Sequence, residues 1–271
     1  MTKKTISVFL LLLPNLILAN INATIQAVPG GIAEIIFESS HSNPKAFYGS
    51  IPLYVQQLGV DRHQALIGLP LMTKAGDKQI TLQGAQKTHD LITVINQNYA
   101  NENFESNIGQ ANTSINDARI EYEINLFTKI RKIFSDKPLS KGFFTIPAKG
   151  RVTSEFGVNR YYNGKKGLPH IGIDIANKIG VSVNSSAAGQ VILVHDFYYL
   201  GKTVFVDHGQ GLITSYSHLS KASVIEGQSL RKGEELGKIG NSGRSTGSHL
   251  HWGVFLNQVA INPALLLTGP L

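Results

Sequence analysis

In His170-Ile-Gly-Ile-Asp174 an imidazole and a carboxylate stand four residues apart. If this segment is extended, alternation sends His170, Gly172 and Asp174 to one face and Ile171, Ile173 and Ile175 to the other. His249-Leu-His251 repeats the device, with both imidazoles on one face while Leu250 and Trp252 turn to the core. Tyr216-Ser-His218 adds a further histidine, expected at the end of a strand. Five titratable or metal-competent groups thus come from three β segments. The chain has no cysteine, so any metal is held by His, Asp or Glu. Zinc suits such groups: neutral imidazole and carboxylate both ligate it, and a catalytic site uses three protein ligands and leaves a fourth position open. It can lower the pKa of a bound water from about 15.7 to about 7 and polarise a carbonyl, which is machinery sufficient for amide hydrolysis. A single histidine beside an aspartate is more often a structural pair. The weight here rests on several such groups falling in glycine-bounded strands of one region. His41, His63, His89, His195 and His208 lack that company and read as surface, turn or structural residues.

The elements that must carry these groups are mainly β. Beyond Phe143 the pattern is strand after strand with glycine turns: Val181 to Val183, Gly189 to Val194, Thr203 to Val206, Leu212 to Tyr216, Glu235 to Ile239 and His249 to Phe255. No long helix interrupts the run, which predicts an antiparallel, β-rich domain over 143–271. From 24 to 110 short β-leaning segments (Ala33 to Phe37, Ile51 to Val55, Gln64 to Leu69, Lys78 to Leu82) alternate with turn-formers such as Pro29-Gly-Gly31 and Ser42-Asn-Pro44, predicting a small antiparallel β domain. Between them, in 111–142, Ile120, Ile124, Phe127, Ile130 and Phe134 recur at helical spacing after the capping oxygens of Asn112-Thr-Ser-Ile-Asn116. One linking helix from about Ile115 to Phe134 is expected, ended before Pro138 and packed on the protein's own core.

The bulk numbers bound the reading. A length of 271 residues favours two folded units, and 42% hydrophobic with 16% charged residues is ordinary globular composition. The net charge of +7 is spread without a dense basic run or an aromatic-interleaved RNA motif, which argues against nucleic acid and fits a mild attraction to anionic envelope polymers. Lys3 and Lys4 precede an apolar run from Ile6 to Leu18, the layout of a secretory signal peptide over residues 1–23. An exported protein of the periplasm or cell envelope is expected.

From Phe144 to about Leu267 the chain resembles the lysostaphin-like zinc metallopeptidases, family M23. The match rests on Ser154-Glu-Phe-Gly157, Arg160-Tyr-Tyr-Asn-Gly164, His170-Ile-Gly-Ile-Asp174, Asp207-His-Gly209, Tyr216-Ser-His-Leu219 and Gly240-Asn-Ser-Gly-Arg-Ser-Thr-Gly-Ser-His-Leu-His251. The resemblance implies a zinc ion held by His170, Asp174 and His251, with His218 and His249 flanking the hydrolytic water. It also implies substrate contacts from Arg160 and Asn163, although either suits a turn equally. Ser182, Ser186 and Ser248 stand where the family often has proline, and Gly253 where it often has an acid. The N-terminal half, with Pro29-Gly-Gly31 and Gly68-Leu-Pro-Leu71, is similar to the accessory β domain of Gram-negative envelope members. Together these imply hydrolysis of peptidoglycan cross-links, D-alanyl-diaminopimelate bridges in particular, with the first domain or the helix restraining the groove and a regulatory envelope partner releasing it. The rival readings are a non-catalytic family member that binds wall or activates an amidase, and an envelope scaffold whose histidines are structural.

Overall fold

The computed structural model describes residues 26–105, 117–140 and 144–268. The expected signal peptide, 1–23, lies outside them, as do the first residues of the expected linking helix. No helix among the described residues is long and apolar enough to cross a membrane.

The N-terminal half forms two small antiparallel sheets. Strands β1 (Ile32–Glu38), β2 (Lys45–Tyr48), β3 (Ile51–Pro52), β4 (Tyr54–Gly59), β5 (Arg62–Gly68), β6 (Gly76–Gln83) and β7 (His89–Val94) pair in the orders β1-β5-β4 and β3-β2-β6-β7. The single segment expected over Ile51 to Val55 divides at Leu53 into β3 and β4, because the chain there passes from the sheet of β2 to the sheet of β5. The alternation in β1, where Ala33, Ile35 and Phe37 are buried and Glu34 and Ile36 are not, lays one face of the sheet, with Ile67 of β5, on Leu53, Ile80 and Leu82.

After β8 (Asn101–Phe104) and the helix α1 (Asp117–Arg131), the C-terminal half runs through β9 (Arg151–Ser154), β10 (Asn159–Tyr162), β11 (Lys165–Lys166), β12 (Gly172–Ala176), β13 (Ser182–Asn184), β14 (Gly189–Phe197) and β15 (Gly201–Asp207). It continues as β16 (Leu212–Ala222), β17 (Ser229–Leu230), β18 (Glu235–Ile239), β19 (His249–Leu256), β20 (Val259–Ile261) and the short α2 (Leu265–Thr268). Ten of these strands form one sheet, with the path β17-β14-β15-β16-β19-β12-β9 and with β13, β18 and β20 paired alongside. The expected β-rich antiparallel architecture is therefore what the chain adopts. Its core is Trp252, Tyr216, Leu212, Leu250 and Leu256, all essentially inaccessible; each such side chain contributes about 1.5–3 kcal/mol by leaving water.

The two halves are packed closely together. Ile32, Tyr54 and Leu66 of the first half join the same hydrophobic cluster as Trp252 and Leu256 of the second. Polar groups complete the seam: Val55 N–H donates to Gln210 Oε1 (2.6 Å), and Asn257 Nδ2 donates to Pro52 O (3.2 Å). Gly68 is needed there, since a Cβ on it would lie 2.5 Å from the Leu256 carbonyl.

The helix differs from its expected stripe. Ile130 is buried and Phe127 packs edge-on against Phe205 and Phe255, but Ile124 is 60% exposed. Glu123 is buried in its place: its carboxylate takes Arg119 Nε (2.7 Å) and the Tyr198 N–H (2.8 Å). A paired carboxylate satisfied from both sides can occupy an inward position that spacing alone assigns to isoleucine. The last turn tightens to i, i+3 hydrogen bonds from Lys132 to Lys129 and Ile133 to Ile130, so the helix stops at Arg131 rather than Phe134.

Candidate metal centre

Three neighbouring strands, β16, β19 and β12, bring the five expected groups together. Antiparallel pairing sets Asp174 opposite His251 and Ser217 opposite His251 on the other side, so one row crosses the sheet. His170 lies just before β12 rather than within it, yet its ring still converges on the same point. His170 Nε2 is 3.0 Å from Asp174 Oδ1, His251 Nδ1 is 2.8 Å from that oxygen, and the two nitrogens are 3.0 Å apart. These atoms lie within 4.8 Å of one another on buried residues. His170 Nδ1 is committed to the Glu155 carbonyl (2.8 Å), which leaves Nε2 with its lone pair toward Asp174 and His251. Two imidazole nitrogens and a carboxylate oxygen aimed at one point are complementary to a cation, and two nitrogens with one oxygen are a donor set that zinc accepts.

Electrostatics agree with that geometry. Burial by itself would raise the Asp174 carboxyl, but the hydrogen-bonding imidazoles of His170 and His251 outweigh it and hold the carboxyl well below the usual carboxylate range. Burial also lowers His170, keeping it neutral and able to ligate. Gly172 allows the approach: a Cβ there would stand 2.6 Å from His251 Cε1 and 2.6 Å from the Trp252 carbonyl.

His218 and His249 form the second layer. Their rings are 4.6 Å apart, and His218 lies 6.2 Å from the His251 ring. β16 continues to Ala222, so His218 sits inside the strand rather than at its expected end, and it does so with φ of 61°. A non-glycine residue held in the left-handed region is costly, and such outliers concentrate at functional sites. Both rings are anchored alike: His218 Nδ1 on Ser242 O (2.9 Å), His249 Nδ1 on Gly247 O (2.9 Å) with Ser245 Oγ at 3.1 Å. A carbonyl only accepts, so each Nδ1 carries the hydrogen and each Nε2 is left as a proton acceptor. His249 Nε2 is 3.8 Å from Asp174 Oδ1. Burial, then the neighbouring His251, pushes His218 down to about 4, so it is neutral at pH 7.

Arg160 and Asn163 are placed differently from one another. Arg160, on β10, reaches into the centre, where its Nη2 is 2.9 Å from Asp174 Oδ2, the oxygen not shared by the histidines. Asn163 is a turn residue with φ of 50° between β10 and β11, its N–H bound to Phe104 O (3.0 Å). Two groups beside the centre had no assigned role in the sequence: Ser154, whose Oγ is 3.2 Å from His170 Nδ1, and Glu102, 3.2 Å from that Oγ. Ser154 stood in a recognisable motif, whereas Glu102 carried no signal, being 52 residues away in the chain. Of the other histidines, His63 stacks on Phe37 and His208 is fully buried between Ala188 O (2.7 Å) and Thr214 Oγ1 (2.8 Å).

A β-rich fold with a His, Asp, His centre flanked by two further imidazoles defines a metallopeptidase-like site. The comparisons place it further: the model for peptidase family M23 matches residues 168–263, and that for the M23 N-terminal domain matches 25–96. A solved structure assigned to peptidase M23 from Pseudomonas aeruginosa superposes with a TM-score of 0.75 at 34% identity, over 89% of this chain and 95% of that one. This chain belongs to peptidase family M23. It is 36% identical over 120 residues to the peptidoglycan DD-endopeptidase ShyA of Vibrio cholerae, covering 44% of this chain and 28% of that protein. It is 37% identical over 113 residues to the DD-carboxypeptidase/endopeptidase Mpg of Neisseria meningitidis, covering 42% of this chain and 26% of that protein. The chain thus matches less than a third of the length of either curated relative.

Proposed function

We propose that the chain is a zinc-dependent endopeptidase that hydrolyses peptide cross-links of peptidoglycan, D-alanyl-diaminopimelate bridges in particular, in the periplasm or cell envelope. The observation that carries it is the convergence of His170 Nε2, Asp174 Oδ1 and His251 Nδ1 within 4.8 Å, beside two imidazoles with anchored Nδ1 atoms. The names of the relatives ShyA and Mpg support the wall substrate.

His170, Asp174 and His251 would hold the ion, which supplies Lewis acidity toward water and the scissile carbonyl. The remaining chemistry belongs to the chain. An imidazole fixed through its Nδ1–H, as in His218 and His249, takes the proton of the attacking water at Nε2 and afterwards returns it to the leaving amine. The other of the two, when it takes up a proton to become an imidazolium, donates from Nε2 to the negative charge that develops on the carbonyl oxygen. By the resemblance, Arg160 and Asn163 of the β10–β11 hairpin contact the substrate, and the exposure of Asn163 on the turn supports this.

Mass spectrometry of cross-linked muropeptides incubated with the protein tests the reading, with a His251→Ala variant and a chelator as controls. Conversion of dimers to monomers only with intact protein and metal is expected, and the fragment masses identify the bond. Retained zinc without any cleavage would instead favour a wall-binding protein or amidase activator.

A further inference from the structure

The segment leaving the N-terminal half becomes part of the catalytic half. β8 pairs in parallel with β10, with Glu102 in register with Arg160 and Phe104 with Tyr162. From there the Glu102 carboxylate meets the Ser154 hydroxyl, at 3.2 and 3.5 Å from its two oxygens. Ser154 is buried and has one hydrogen and two lone pairs. An ionised carboxylate only accepts, so that hydrogen belongs to Glu102. Both lone pairs are then left for the two donors that face them, Arg160 Nη2 at 3.3 Å and the His170 Nδ1–H at 3.2 Å, a hydrogen shared with the Glu155 carbonyl at 2.8 Å. The same Nη2 holds Asp174 Oδ2. Phe104, also on β8, lies 5.9 Å from the Arg160 guanidinium and stacks on Tyr162 at 5.3 Å. Two of the three candidate ligands are therefore connected through Ser154 and Arg160 to β8, on the side of His170 away from its ligating nitrogen.

We propose that Glu102 is a positioning residue of the metal centre: by orienting the Ser154 hydroxyl it fixes the His170 ring and the Arg160 fork that holds Asp174. This rests on the zinc-peptidase reading above. The strand that leads out of the N-terminal half then completes the site, whereas the resemblance gave that half only a restraining role. Partners of this outer kind are worth about 10–100-fold in metal affinity or activity.

The test is Zn2+ affinity of the full chain, measured by competition with a chromophoric chelator, beside kcat and KM on cross-linked muropeptide. Glu102→Ala is expected to weaken Zn2+ binding about tenfold and to lower kcat while KM holds. Glu102→Gln, whose amide oxygen still accepts the Ser154 hydrogen, restores most of the affinity. Circular dichroism checks folding, and Ser154→Ala carries the same test if Glu102→Ala does not fold. Wild-type Zn2+ affinity in the alanine variants, or a loss confined to KM, overturns the proposal. A wild-type chain that neither binds Zn2+ nor cleaves overturns the functional reading itself, which is a separate result.

Discussion

Asp174 and His251 face each other across the β12–β19 ladder, and their side chains meet at 2.8 Å between Oδ1 and Nδ1. The ladder, not sequence proximity, fixes that distance, so a side chain forced into the ladder beside either residue should disturb the centre. Gly172→Ala is the sharpest case, because its Cβ would stand 2.6 Å from the His251 ring. We expect it to displace His251 and to reduce both Zn2+ content, read by metal analysis of the purified protein, and peptide cleavage at least tenfold.

His218 and His249 have no place among the converging ligand atoms, and their loss should separate chemistry from metal binding. His218→Ala and His249→Ala are each expected to keep Zn2+ while kcat falls about 10²–10⁴-fold, the range for loss of a proton-transfer group. His251→Ala should lose metal and activity together.

His208 gives the protein a pH-dependent stability away from the centre. Burial pushes it down to about 4, against about 6.5 in an unfolded chain. The unfolded state therefore binds the extra proton first, so this contribution is intact above about pH 6.5 and is lost as pH falls toward 4. Between pH 7 and 4.5 the loss is about 2–3 kcal/mol. Urea unfolding at the two pH values measures it, and the fall should be shallower in His208→Gln.

The inward face of α1 can be tested by a pair of substitutions. Ile130→Ala removes a buried side chain of the cluster with Phe205, Ile213 and Phe255 and should cost about 3 kcal/mol in urea unfolding. Ile124→Ala, on the exposed side, should change stability by no more than about 0.5 kcal/mol.

That helix also shows where spacing misleads. Periodicity located Phe127 and Ile130 on the buried face, because burial follows the 3.6-residue turn. It counted Ile124 inward and overlooked Glu123, whose burial depends on Arg119 one turn earlier and on the Tyr198 amide, a partner 75 residues away. Likewise, the alternation in β19 correctly sent Leu250 and Trp252 to the core and the histidines toward Asp174, but it could not show that β16 runs on past His218 with a left-handed residue inside it.

What the sequence determined by itself was local: the β-rich class, the strands that carry Asp174, His249 and His251, and the set of residue types able to hold a metal without cysteine. Those follow from period, turn chemistry and composition, which act over a few residues. The tertiary structure decided what depends on pairing between distant strands. Sheet register set His251 against Asp174, the close fit at Gly172 admitted the imidazole, and the parallel contact of β8 with β10 brought Glu102 to Ser154 across 52 residues. Hydrogen bonds and metal ligation act over about 3 Å, a scale on which only the folded chain defines neighbours.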